Sequence, residues 1–393
     1  MAQAEKRILV LGLMGQYPMA GVAWQALQYL LGLSRLGYDV FYAEDSGAPP
    51  YDPRRLTISD DPAPNVEFVR RGMERIGLAD RWVYWDLGTE SYFGRGKDVL
   101  FDLYRTSGSI WNLCGATRLR AEHRQGAKLV YVETDPVYEQ LRIANGDAGA
   151  RAIAEEHDVL FTYGENLGTE DCPVPLSGLV WHPTRPPVVC DLWEGSLIPE
   201  PRFFSTIATW ENKGKDVSFG GETYRWSKHL NFLHYLPVPK RCGVEFEVAI
   251  QPPGERETAL LAENGWRTID PLAVSSDIGA YVDFIRDSRG EFTVAKDIYV
   301  RPRSGWFSDR SVCYLAAGRP VITQETGFSK LVPCGRGLLA FSDLDEACAA
   351  VREVNRDYAA HCAAARAIAR EHFAAEKVLR RMLDVVERSP SSP

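Results

Sequence analysis

Arg7-Ile8-Leu9-Val10-Leu11-Gly12-Leu13 is apolar without a break after its first residue. A run that is apolar on both faces of a strand belongs in a parallel sheet covered by helices on either side. A loop follows, Gly15-Gln16-Tyr17-Pro18-Met19-Ala20-Gly21. Residues Val22 to Leu36 then place apolar side chains on a broad helical face and stop at Gly37, a residue that readily takes the left-handed conformation ending a helix. Asp39-Val40-Phe41-Tyr42-Ala43 supplies the next strand. Strand, helix and strand in this order form a βαβ unit, and its right-handed crossover puts the first strand inside the sheet. The fold class is therefore α/β.

Working outward, the pattern recurs at Lys128 to Val132, at a helix from Ala148 to Glu156, and at Val159 to Thr162. From Pro173 to Pro201 the chain carries seven prolines, a density that neither a helix nor a central strand tolerates. Beyond this stretch strands are expected at Phe204 to Trp210, Val244 to Gln251, Phe292 to Ala295 and Pro320 to Thr323. Helices are expected at Tyr281 to Arg289 and Ser311 to Ala317, with alanine-rich helical sequence from Leu344 to about Val386. The organisation expected is two Rossmann-like, doubly wound domains facing a cleft, residues 1–197 and 198–372, with a C-terminal helix and tail, 373–393, crossing back to the first domain. Ligands of such sheets bind at the carboxyl ends of the strands.

Composition narrows the function. Of 393 residues 45% are hydrophobic and 25% charged, the usage of an ordinary globular protein. A formal net charge of -8 disfavours a polyanionic partner. The eight cysteines never form Cys-x-x-Cys, so they signal neither a zinc knuckle nor a redox pair, and no metal site is expected. The charged Met1 to Arg7 leaves no room for a secretion signal, and no apolar run is long enough to span a membrane, so the expected location is the cytoplasm. Gly12, Gly15 and Gly21 lack the spacing of a dinucleotide fingerprint, and P-loop and Gly-x-Ser-x-Gly patterns are absent.

The segment richest in chemistry is Arg303-Ser304-Gly305-Trp306-Phe307-Ser308-Asp309-Arg310-Ser311, followed by a helix, the turn Gly318-Arg319-Pro320 and the strand Val321-Ile322-Thr323. Ser308, Asp309 or Ser311 could cap that helix. Free N–H groups of its first turn, together with Arg310, would equally suit a diphosphate.

Ala316-Ala317-Gly318-Arg319-Pro320-Val321-Ile322 resembles the closing part of the donor-site segment of GT-B glycosyltransferases. Ser308-x-Arg310 upstream of Leu315-Ala316-Ala317-Gly318 is similar to their spore-maturation CgeB-like group. Gly335 to Asp343 followed by a helix also looks like this family. The resemblance is specific over residues 290 to 385 and architectural before them. It implies transfer of a sugar from a nucleotide diphosphate sugar to a hydroxyl-bearing acceptor, with no metal and no cofactor other than the donor itself. The sequence departs from the family where two glutamates eight residues apart would fall on Gly305 and Cys313. Asp309 or Glu325 is the expected substitute.

On this reading Arg310, Lys228 and Lys296 neutralise the departing diphosphate, and Ser304, Gly305, Trp306, Ser308 and Ser311 line its pocket. Arg225 joins them as a second fork-shaped cation, and Gly15 lies in the loop facing the donor. Asp135, at the end of the strand Lys128 to Glu133, is either the general base that takes the acceptor's proton or a helix cap. Glu44 and Asp45 carry the same ambiguity. A non-catalytic nucleotide- or sugar-binding protein on the same scaffold, and a transferase acting on modified DNA bases, are the competing readings.

Overall fold

The computed structural model describes residues 6–195, 201–212, 214–251 and 254–390, so the boundary expected between 197 and 198 lies outside the described residues. The first unit is built on an eight-stranded sheet: β1 (Arg7–Leu11), β2 (Asp39–Glu44), β5 (Trp82–Asp86), β6 (Ser91–Gly94), β7 (Ser109–Leu113), β8 (Lys128–Glu133), β9 (Val159–Thr162) and β10 (Trp181–Pro183), in the order β10-β9-β8-β7-β1-β2-β5-β6. All neighbours are parallel except β5 and β6. The apolar run at the amino end does form the inner strand: Ile8 to Leu11 are buried, with Leu9 opposite Phe41 on one side and Ile110 on the other. Between β2 and β5 the chain makes a small hairpin, β3 (Tyr51–Asp52) with β4 (Thr57–Ile58).

The second unit holds six parallel strands, β11 (Phe204–Ile207), β14 (Phe246–Ala249), β15 (Trp266–Ile269), β16 (Gly290–Thr293), β17 (Val321–Gln324) and β18 (Leu338–Phe341), in the order β15-β14-β11-β16-β17-β18. A hairpin of β12 (Val217–Phe219) and β13 (Glu222–Tyr224) precedes the helix His229–Tyr235. In each sheet the chain fills one side of the first strand and then jumps to the other. The strand order therefore reverses at β1/β7 in the first unit and at β11/β16 in the second, where open α/β sheets present a crevice.

The terminal helix Ala375–Arg388 returns to the first unit and lies on the helix Ala20–Arg35. The contact is close enough that a Cβ on Gly32 would stand 2.9 Å from that of Ala375. The return is stitched by Val188 N–H donating to the Phe373 carbonyl and Ala375 N–H to that of Val188, both at 2.8 Å. One apolar cluster runs through both units: Trp24 packs on Trp193 at 4.9 Å between ring centroids, and Trp193 on Tyr281. The two sheets are thus held in a fixed relation, carboxyl ends facing. None of the described helices is long and apolar enough to cross a membrane.

Candidate active site

The two switch points meet. Gln25, on the helix after β1, donates to Asp309 Oδ2 at 3.1 Å, and Trp306 Nε1 donates to the Thr134 carbonyl beyond β8 at 3.0 Å. Lys296, just past β16, reaches Asp135 Oδ1 at 2.7 Å and Tyr299 Oη at 2.9 Å, while Tyr299 itself donates to the same carboxylate oxygen. Asp135 lies deep between the units, yet 47% of its side chain is open to solvent, so it forms the wall of a crevice that water enters. Burial alone would raise its pKa, but the Lys296 ammonium and the Tyr299 hydroxyl bring it below the ordinary carboxylate value.

Cations dominate the second unit's side. The Arg310 fork is anchored three ways: Nε to Glu291 Oε1 at 2.6 Å, Nη1 to the Ile207 carbonyl at 2.6 Å, and Nη2 to Thr293 Oγ1 at 2.9 Å. These acceptors sit on β11 and β16, so the guanidinium straddles the switch point. Lys296 also lies over the Trp226 ring, 3.6 Å from its centroid, with Lys215 4.9 Å from the same centroid. Lys228 is mostly buried and donates to no acceptor among the described residues. Its nearest aromatic face is Trp306, at 5.8 Å. Burial, then the charges of Arg310 and Lys296, push its pKa down to about 7. A largely buried amine that forms no ion pair among the described residues and lies beside other cations, with Glu291 and Asp309 only partly offsetting them, is costly unless an anion joins it. Thr206 Oγ1 and His229 Nδ1, which with Lys228 line one small pocket beside β11, also have no hydrogen-bond partner among the described residues.

Several expectations change. Asp135 caps no helix: the helix Tyr138–Ala144 starts after Val137, and Asp135 is engaged across the crevice instead. Ser308 occupies the position before the helix Asp309–Ala316, but no side chain there makes a capping bond. Asp309 Oδ1 accepts only from its neighbour's N–H, that of Arg310, at 2.8 Å. Ser304 and Gly305 are absorbed in the seam between units. Ser304 Oγ donates to the Tyr299 carbonyl, its own carbonyl accepts from Asn166 N–H, and Gly305, at φ +78°, donates to the Thr326 carbonyl. The Ser304 hydroxyl and the Gly305 N–H are thus already engaged within the protein. Ser311 is fully buried with its hydroxyl unpaired.

Arg225 is half-exposed and turned to Asp216 at 2.9 Å. Glu325 accepts from Gly327 N–H within its own turn and makes no contact with the cations. Gly15 is structural: its N–H donates to Glu44 Oε1 at 2.5 Å, and a Cβ there would strike Val69 at 2.7 Å. Glu44 is thereby the clasp of the loop after β1. Burial pushes its pKa up to about 7 despite bonds from Tyr42 and the Gly15 and Gln16 N–H groups. Asp45 is likewise committed inside the first unit, to Arg120, His123, Tyr104 and Thr117. Arg310, Lys228, Lys296, Trp306, Asp309 and Asp135 are the expected residues that the fold does bring together.

Missing from the expectations are Glu291, Thr293, Tyr299, Lys215, Trp226 and Gln25. Glu291 left one trace in the sequence, a lone charge inside the strand Gly290-Glu291-Phe292-Thr293. It is fully buried against Arg310, and its second oxygen is unpaired.

No protein-family profile and no curated protein sequence matches this chain. Solved structures do match in fold. Sucrose-phosphate synthase from Thermosynechococcus elongatus aligns at TM-score 0.58 with 13% identity, covering 98% of each chain. HepE of Anabaena, solved with UDP-glucose, aligns at 0.56 with 13% identity over 97% of this chain and 99% of its own. An alpha-glucosyltransferase, solved with UDP and a 13-mer DNA containing an HMU base, aligns at 0.61 with 9% identity over 97% and 99%. Two Rossmann-like units facing one crevice, matched over almost the whole chain by these enzymes, give this protein the GT-B fold of glycosyltransferases.

Proposed function

We propose that this protein is a glycosyltransferase that moves a sugar from a nucleotide diphosphate sugar to an acceptor hydroxyl. The observation that carries the proposal is Lys228, a largely buried amine without a hydrogen-bond acceptor among the described residues, placed beside Arg310 and Lys296 where the strand order reverses. A diphosphate supplies the missing negative charge. The bond from the anomeric carbon to the acceptor oxygen forms as the bond to the phosphate oxygen breaks, and the nucleoside diphosphate leaves with that electron pair, stabilised by the three cations. The acceptor's proton passes to Asp135, which becomes a better base when the diphosphate draws away the Lys296 charge that now holds its pKa down. The positive charge is the protein's own, so the reaction is proposed to need no metal. UDP sugars are the first donors to try, because HepE is solved with UDP-glucose on the same fold. Eight unpaired thiols support placing the protein in the reducing cytoplasm.

Calorimetric titration with UDP, GDP, dTDP, ADP and their sugar conjugates, with magnesium and with chelator, tests this. Saturable binding of one nucleotide class, insensitive to chelator and at least tenfold weaker in Lys228→Met, is expected. Silence across the panel overturns the proposal.

A further inference from the structure

The two flanks of the crevice differ. Beside β8 the units are closed against each other: Val137 and Leu141 pack with Val217, Trp226 and Tyr299, and Asn145 Nδ2 donates to the Ser218 carbonyl at 2.7 Å. On the other side of β1, the β3–β4 hairpin and the helix Ala63–Arg75 face the start of the helix Ile278–Asp287 across a hollow of about 980 Å³. A second chamber of about 740 Å³ adjoins it at the carboxyl ends of β14 and β15, with Pro53 and Arg54 lining both. Two segments tie the hollow to the crevice. Pro18 and Ile278 line it, whereas Gly21 and Tyr281, three residues further along each segment, stand with Asp309 and Arg310.

The polar groups left free on these walls are mostly acceptors. Asp61, Asp270 and Asp277 each use Oδ1 to hold the start of a helix, accepting from Ala63 N–H, from Leu272 N–H, and from the Gly279 and Ala280 N–H groups in turn. The Oδ2 of each has no partner among the described residues. Asn65, only 2% exposed, lines the hollow as well. Its Nδ2 donates to the carbonyls of Gly15 and Tyr51, while its Oδ1 accepts from no donor among the described residues. A carboxylate or amide oxygen only accepts, so what answers these four is an O–H or an N–H. Charge adds a second requirement. The two chambers carry five carboxylates, on Asp52, Asp61, Glu67, Asp270 and Asp277, against the guanidiniums of Arg54 and Arg71, and Arg71 already donates to Glu67. The hollow is therefore opposite in sign to the crevice, where Arg310, Lys228 and Lys296 gather.

We propose that this hollow is the acceptor site, and that the acceptor is a polyhydroxylated amine such as an amino sugar, with hydroxyls on the free oxygens and ammonium groups beside Asp61 and Asp277. A neutral glycan would satisfy the acceptors but leave the excess negative charge unanswered, and an anion would be repelled by it. The difference in sign sorts the two substrates: the diphosphate is drawn to the crevice and the ammonium to the hollow. The acceptor role rests on the transferase reading; the ligand chemistry does not.

The test is calorimetric titration at pH 6 of two trimers, β-1,4-linked glucosamine and cellotriose, which has the same backbone with hydroxyls in place of the ammonium groups. Each is titrated into the full chain, Asp61→Asn/Asp277→Asn and Glu90→Gln/Asp98→Asn. All four positions are exposed, and asparagine keeps the oxygen that holds the helix start. The second pair lines neither chamber and removes the same charge elsewhere. One saturable glucosamine site is expected, at least tenfold tighter than any for cellotriose and unchanged in Glu90→Gln/Asp98→Asn. In Asp61→Asn/Asp277→Asn it should be about tenfold weaker, as the loss of two partly screened ion pairs would give. No saturable site, equal affinity in all three proteins, equal weakening in both variants, or cellotriose bound as tightly overturns the ligand chemistry and leaves the donor reading standing. Glucosamine binding that follows the variants in a chain that binds no nucleotide sugar overturns the acceptor role instead.

Discussion

Lys228 offers the sharpest test of the donor site, because its charge is poised to depend on pH. In the free protein its pKa is about 7, against an ordinary 10.5. A diphosphate bound against it restores the ordinary value, so the bound state holds the proton where the free state has lost it. Affinity is therefore full below pH 7 and falls as pH rises, since binding must first recover the proton. With those two values the dissociation constant rises about 16-fold between pH 7 and pH 8.5, or ~1.6 kcal/mol at 1.36 kcal/mol per pKa unit. The assay is isothermal titration with UDP-glucose, or with whichever nucleotide sugar binds, from pH 6 to 8.5, a range in which the diphosphate diester does not titrate. Lys228→Met should bind weakly at pH 6 and show no slope. A flat profile in the unaltered protein, or the same slope in the variant, refutes the assignment of Lys228 to the phosphates.

Asp135→Asn should lower turnover by roughly 10²–10⁴. Its half-open ion pair with Lys296 should cost less than about 1 kcal/mol in a thermal melt, so a large drop in melting temperature with turnover retained would make Asp135 a tether between the units. Arg310→Ala should not leave folding intact: it strands the fully buried Glu291 without its cation, for about 3–5 kcal/mol in urea unfolding, and pairing it with Glu291→Leu should recover most of that loss. Glu44 has a folded pKa raised to about 7 above an ordinary 4.5, so the native state binds more protons and stability declines as pH rises from 4.5 through 7. Urea titrations at pH 5 and pH 7 should show that decline shrinking in Glu44→Gln.

The scaffold was largely legible because it is written in local pattern. The unbroken apolar run at β1 and the glycine stop at Gly37 mark a βαβ unit without help from the rest of the chain. Boundaries were less so. The strand expected to run from Phe204 to Trp210 ends at Ile207, because that residue's carbonyl is taken by Arg310 and the chain turns out of the sheet there. The hairpins β3–β4 and β12–β13 have strands of two and three residues, too short for an alternation to register. The site was legible only in part for a different reason. Asp135 read as a cap because its real partner, Lys296, is 161 residues away, and Gln25 carried no signal because Asp309 is 284 residues away. Arg310 was visible and its anchor was not: a glutamate in a buried strand announces a partner without naming it.

The return of the last helix to the first unit bears on how the protein is made. The apolar face of the helix Ala20–Arg35 that surrounds Gly32 is completed by Ala375 and Leu379, which leave the ribosome some 340 residues later. At 5–20 residues per second that is roughly 17–68 s of synthesis. Within that interval the first unit's strands, β1 to β10, are all made by residue 183, yet the face of the helix around Gly32 waits uncovered until the last helix arrives. One face of the amino-terminal unit can therefore finish packing only after the carboxyl-terminal helix has been made.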